Sequence, residues 1–99
     1  MKDYTAEVEI GSNVDAIHNF MFYNVPIQSV TIPAQVDAIG MGAFNCSTLH
    51  TVTCEGSEPP ILDTDVFNLD YLKTIYIPAG SKDAYKVKWL IYQYKLREQ

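Results

Sequence analysis

The sequence predicts an α/β repeat fold: a short right-handed solenoid with a parallel sheet on one face and a helix closing its C-terminal end. Three observations lead there. Apolar residues recur in register every 22–23 residues, each recurring block holds a short alternating segment suited to a strand, and the residues after Gly80 change to helical spacing. With 99 residues, 47% of them hydrophobic, the chain has room for one small packed domain, and this composition argues against disorder.

The first element is "MKDYTAEVEI", where Tyr4, Ala6, Val8 and Ile10 alternate as in a strand that would leave an open edge. From Val8 onward the columns repeat. Val8, Val30 and Val52 lie 22 apart, with Ile75 at 23 more. Ile10, Ile32, Cys54 and Ile77 keep the same steps. So do Ile17, Ile39 and Ile61 or Leu62, then Phe22, Phe44 and Phe67, then Ile27, Leu49 and Leu72. Val14 returns as Val36, and Pro33 as Pro78. The extra residue of the third unit falls in "EGSEPPIL". The predicted units are 8–29, 30–51 and 52–74, with a last strand at 75–77, so that residues 1–80 form the repeat region.

Each unit carries an L-x-x-L-x-L core: Ile27-x-x-Val30-x-Ile32, Leu49-x-x-Val52-x-Cys54 and Leu72-x-x-Ile75-x-Ile77. That pattern and the period fall within the range of leucine-rich repeats. The rest of a unit returns the chain to the next strand, with Ile39 and Phe44 turned inward and Gly40 and Gly42 allowing tight backbone. This explains why "SVTIPAQVDAIGMGAFNCSTLHTV" keeps neither the strand nor the helix period throughout: it is one complete turn of the repeat.

The segment "TIPAQVDAIGMGAFNCSTL" closely resembles the repeat unit of BspA-like leucine-rich repeats. Thr31, Ile32, Pro33, Val36, Ile39, Gly40, Ala43, Phe44, Cys46 and Leu49 carry the likeness. Phe44 and Leu49 are five apart where the family commonly has six. The flanking units match more loosely, and "IYIPAGSKDAYKVKWLIYQY" resembles the segment that often closes such arrays. The resemblance spans about residues 8–94. It implies a leucine-rich-repeat solenoid from a bacterial or protozoan surface protein, hence a cell-surface or secreted location. It also implies recognition or adhesion without catalysis, and it does not specify the ligand.

Residues 81–99 read as a helical cap. Ser81 suits the N-cap, Asp83 the first turn, and Lys95 and Arg97 the C-terminal end. Ala84, Val87 or Lys88 and Ile91 form one helical stripe; Tyr85, Trp89, Tyr92 and Leu96 form another. So aromatic a helix is expected to cover the open end of the last turn. The N-terminal end shows no counterpart, and three units are near the minimum for a stable array. Two readings follow: the chain is the C-terminal part of a longer array, or it self-associates through its N-terminal edge strand.

Alternation along the strands places Glu7, Ser29, Thr51 and Thr74 on one outward ladder, and Glu9, Thr31, Thr53 and Tyr76 on the next. Ser29, Thr31, Thr51, Thr53, Thr74 and Tyr76 are therefore the candidate ligand-contact face. Their hydroxyls could bind an extracellular protein or a glycan, although Thr is also simply a good exposed strand residue. Other chemistry is weakly signalled. His18 and His50 occupy different phases of the repeat, and no zinc spacing is present, so no metal is expected. Cys46 and Cys54 read as buried thiols rather than a disulfide, and nothing supports a catalytic Cys–His pair. "DTDVFNLD" gathers acids but lacks the Gly and distant Glu of an EF-hand loop. Asn45-Cys46-Ser47 fits the N-glycosylation pattern in a turn expected to be packed. No phosphate loop, nucleophile elbow or cofactor motif appears, and the chain is not expected to be an enzyme.

Charge sharpens the partner class. Net charge is −5, divided into −8 over residues 1–80 and +3 over 81–99. An acidic body disfavours nucleic acid, and a solvated helix face explains the basic tail more simply than an anionic partner. The chain has no 18-residue apolar run and no signal-peptide pattern, so no membrane insertion is expected. The leading functional expectation is a recognition module that binds protein or glycan through the strand face. A structural spacer and end cap is the alternative, and a repeat attached to an enzyme whose chemistry lies in another domain is a third.

Overall fold

The computed structural model describes residues 7–99. Tyr4 and Ala6 of the expected first strand lie outside that range. Two parallel sheets are built by the repeat. The larger contains β1 (Glu7–Glu9), β3 (Ser29–Ile32), β5 (Thr51–Cys54), β7 (Thr74–Ile77) and β8 (Leu96–Glu98), in that order. The smaller contains β2 (Ala16–Ile17), β4 (Ala38–Ile39) and β6 (Ile61–Leu62). Each unit thus supplies one strand to each sheet.

Register follows the sequence columns. Val8 pairs with Val30, Val30 with Val52 and Val52 with Ile75. Their side chains point inward, and Val30, Ile32, Val52, Cys54, Ile75 and Ile77 are all buried. Pro33 and Pro78 then end their strands, each offering its carbonyl to a turn through Val36 N–H and Ser81 N–H. Across the smaller sheet Ile17 pairs with Ile39 and Ile39 with Leu62, so Leu62, not Ile61, continues that column. The pairing step changes from 22 at Ile32↔Cys54 to 23 at Ala38↔Ile61, which puts the extra residue inside "EGSEPPI".

Between the sheets lies an aromatic column. Phe22 stacks on Phe44 with ring centroids 5.2 Å apart, and Phe44 on Phe67 at 5.9 Å. Trp89 and Tyr92 continue it, at 5.7 and 5.3 Å from Phe67. Burying such a side chain contributes about 1.5–3 kcal/mol before entropy is counted.

The chain must also turn sharply once per unit. Phe20, Gly42 and Asp65 adopt positive φ of 58°, 62° and 53° at equivalent phases. Only in the second unit is this left-handed position given to glycine, the residue that bears it without steric cost. Gly40 meets a different demand: a Cβ there would lie 2.6 Å from the backbone nitrogen of Asn19.

The C-terminal residues differ from the single helix expected over 81–99. Helix α1 spans only Lys82–Lys88, a 3-10 helix follows at Leu90–Lys95, and β8 then joins the sheet. Ile75 pairs with Leu96 and Ile77 with Glu98, and Gln99 N–H donates to the Ile77 carbonyl at 2.9 Å. The physical reason is the free edge of β7, whose unpaired backbone groups are better satisfied by a strand than by a helix. Ser81 precedes α1, but its hydroxyl makes no capping bond and donates instead to the Pro78 carbonyl. Of the two helical stripes, Tyr85, Trp89, Tyr92 and Leu96 are buried, while Ala84, Val87 and Ile91 face outward.

Side chains of this segment also take over backbone bonds of the third unit. The Asp15 carbonyl accepts Asp37 N–H and the Asp37 carbonyl accepts Ile61 N–H. At the same phase the Pro60 carbonyl accepts the Trp89 indole N–H at 2.9 Å. Likewise the Ile27 carbonyl accepts from Thr48 Oγ, and its equivalent on Leu72 accepts from Lys95 Nζ at 2.6 Å. Tyr85 donates its phenol to the Gly56 carbonyl at 2.7 Å. No helix among the described residues is long and apolar enough to cross a membrane.

Candidate functional site

The outward face of the larger sheet is built by period-two alternation on strands held from behind by the core. Ser29 pairs with Thr51 and Thr51 with Thr74; Thr31 pairs with Thr53 and Thr53 with Tyr76. The six candidate residues therefore stand in two straight ladders. Ser29, Thr31, Thr51, Thr53 and Thr74 are half-buried by their neighbours, and Tyr76 is exposed. Glu7 and Glu9 extend the ladders at the β1 edge. Arg97, opposite Tyr76, extends one of them at the other end. Five parallel strands at about 4.8 Å make a strip about 19 Å across. Sequence reasoning placed four strands here and missed the fifth, together with Arg97. Trp89 gave a signal for the extra turn, since it lies 22 residues beyond Phe67 in the aromatic column.

Each sheet carries a surface groove. One, of about 580 Å³, crosses the smaller sheet over Ile39, Gly40, Ile61 and Leu62, with His18, Asn19 and Asp63 at its margin. Asn19 and Asp63 are already engaged, Asn19 Oδ1 by Met41 N–H at 2.8 Å and Asp63 Oδ1 by Thr64 N–H at 2.7 Å. The other, of about 650 Å³, lies at the C-terminal end of the strand face and is lined by Tyr76, Lys82, Tyr94, Leu96, Arg97 and Glu98.

The remaining candidates resolve into structural parts. Cys46 and Cys54 are both free and buried. Burial pushes the Cys54 thiol up to about 12, partly offset by the neighbouring Tyr85 hydroxyl. Burial likewise raises Cys46, whose Sγ–H donates to the Phe22 carbonyl at 2.8 Å. Such thiols are poor nucleophiles, because the reactive form is the thiolate. His18 and His50 are exposed, and no three His, Cys, Asp or Glu gather into a metal site among the described residues. In "DTDVFNLD", Asp63 holds the Thr64 N–H, Asp65 occupies the left-handed turn, and Asn68 accepts from Asp70 N–H. The Asn45 amide donates to the Asp65 carbonyl and accepts from Asn68, so it is tied into the turn it occupies.

Strands of four residues or fewer, stacked in register with one inward apolar column per position, place the chain among leucine-rich-repeat proteins. Comparison with family models makes the assignment particular. The model described as "BspA type Leucine rich repeat region (6 copies)" matches residues 2–87, and the chain belongs to this family. Comparison with curated proteins finds no match.

Proposed function

We propose that this chain is a non-catalytic recognition module of a secreted or cell-surface protein, binding an extracellular protein or a glycan through the outward face of its larger sheet. The observation that carries the reading is the ladder of half-exposed hydroxyls, Ser29–Thr51–Thr74 and Thr31–Thr53–Tyr76, on strands whose inward side chains are buried. A rigid backing gives such a face fixed geometry, so little ordering entropy opposes binding. Membership in a family whose repeats are often surface-associated supports the location. In this reading the units wind as a short right-handed solenoid, and residues 81–99 close its end. A bacterial source fits the same resemblance.

The spacer reading also has an observation in its favour. Tyr85, Trp89, Tyr92 and Lys95 donate to carbonyls of Gly56, Pro60, Phe67 and Leu72, as an end cap would. A cap and a binding face can coexist, and one experiment separates them from a cap alone. The folded chain and its Thr53→Lys variant are screened against extracellular-matrix proteins and glycans. Binding by the parent and its loss in the folded variant support recognition by the strand face. Absence of binding by a folded, monomeric parent transfers the role to a spacer.

A further inference from the structure

The geometry points to an anionic-saccharide site at the C-terminal end of the strand face, in the groove between Tyr76, Lys82, Tyr94 and Arg97. This inference rests on the strand-face reading and narrows it to one ligand chemistry.

Four features of the groove converge. Arg97 stands opposite Tyr76 in the sheet register, and because Leu96 is buried, alternation turns the Arg97 guanidinium outward beside that phenol. Tyr94 is 94% exposed, an unusual position for a ring of this size, and it lines the same groove. The volume, about 650 Å³, is open to the strand face and of the scale that admits a small ligand. Finally, Tyr76 is paired with Thr53 of β5 and stands two residues beyond Thr74 on the same outward face of β7, so the hydroxyl ladders lead up to the groove.

Its charges are positioned to favour an anion. The one carboxylate in the lining, Glu98, is directed at the start of α1, where Oε2 accepts the Lys82 backbone N–H at 3.0 Å. The Lys82 ammonium and the Arg97 guanidinium enter none of the hydrogen bonds found among the described residues. At the far end of the same face stand Glu7 and Glu9, so the strip is acidic at β1 and cationic at β8. That polarity would orient a bound chain with its anionic group at Arg97.

The partner follows from these groups. A planar guanidinium takes a carboxylate or sulfate through paired charge-assisted bonds. Tyrosine rings present apolar faces to the C–H surface of a pyranose and a hydroxyl to its rim. Threonine hydroxyls both donate and accept, which suits a hydroxyl-rich ligand better than an apolar peptide side chain. Nucleic acid is opposed by the net charge of −8 over residues 1–80.

The test uses the full chain, with parent, Arg97→Gln, Tyr94→Ala and Thr53→Lys compared by calorimetry after circular dichroism has verified folding. Probes are a hexuronic-acid tetrasaccharide, a sulfated tetrasaccharide, a neutral tetrasaccharide and a glutamate-rich peptide. The parent should bind at least one anionic saccharide, and the better of those two arms tells carboxylate from sulfate. Arg97→Gln should weaken it about tenfold or more, as loss of a charge-assisted bond requires. Tyr94→Ala should weaken anionic and neutral saccharides alike. Equal affinity for the neutral sugar, preference for the peptide, or unchanged binding by Arg97→Gln would overturn the site. If Thr53→Lys abolishes binding while Arg97→Gln does not, the strand-face reading stands and this narrower one falls. If neither substitution affects saccharide binding, this site falls together with glycan recognition by the strand face.

Discussion

Phe44 is fully buried between two parallel rings, so each face of its own ring is covered by an aromatic partner. Truncation to alanine would leave a gap that Phe22 and Phe67 cannot close without moving the backbone of two units. Phe44→Ala should therefore cost about 3–5 kcal/mol in urea unfolding, enough to unfold a small array. A change below about 1 kcal/mol would reject its place in the column. Cys54 supplies a pH-dependent test. Burial raises its thiol from 9.0 to about 12, so the unfolded chain loses this proton first as pH rises. The stabilisation is thus complete below about pH 9 and declines between pH 9 and 12. Burial raises Tyr85 and Tyr92 too, which steepens the alkaline loss. Cys54→Val should flatten the stability profile between about pH 9 and 11, while its stability at pH 7 stays within about 1.5 kcal/mol of the parent. Denaturant unfolding across that range checks the sign: a loss as steep as the parent's would exclude the thiol as its source.

At the scale of elements, the C-terminal segment gives the clearest prediction and the clearest limit of sequence reading. Tyr92 Oη accepts the Phe67 N–H and donates to the Phe67 carbonyl, both at 3.2 Å. Tyr92→Phe keeps the ring contact but orphans both groups, at a cost of about 1–3 kcal/mol. Thermal melting measures it, and an unchanged midpoint would mean that the hydroxyl contributes nothing net. Tyr85, Trp89, Tyr92 and Leu96 were legible as one buried stripe, because helical spacing brings them together. Their spacing could not reveal that the helix stops at Lys88, since the demand for a strand at Leu96–Glu98 comes from the free edge of β7. The smaller sheet was hidden for another reason. Its strands are two residues long, too short for any alternation to show.

Across the whole molecule, burial increases from the first unit toward the later ones. Val8, Ile10 and Val14 are only partly covered, whereas Val52 and Ile75 are fully buried. Opening should therefore begin at β1 and β2. Hydrogen exchange should show amides of Val8 and Ile17 exchanging faster than those of Val52 and Ile75. Equal protection along the array would instead indicate a single cooperative unit. Charge is graded along the same direction, with the acidic body before Gly80 and the basic segment after it. Binding of an anionic ligand at the Arg97 end should weaken as salt rises, while the core is little affected.

The sequence by itself determined the repeat, its period, the inward columns and the hydroxyl ladders, because each inward column must bury its apolar side chain in every unit and so leaves a mark at fixed spacing. It also carried the family likeness through "TIPAQVDAIGMGAFNCSTL". Only the tertiary structure decided how residues 81–99 pack against the repeat. The fifth strand, the side-chain donors on Gly56, Pro60 and Leu72, and the pairing of Arg97 with Tyr76 answer backbone groups left open by the last unit. Those donors occur once, and apart from the 22-residue step from Phe67 to Trp89 they leave no periodic trace in the chain.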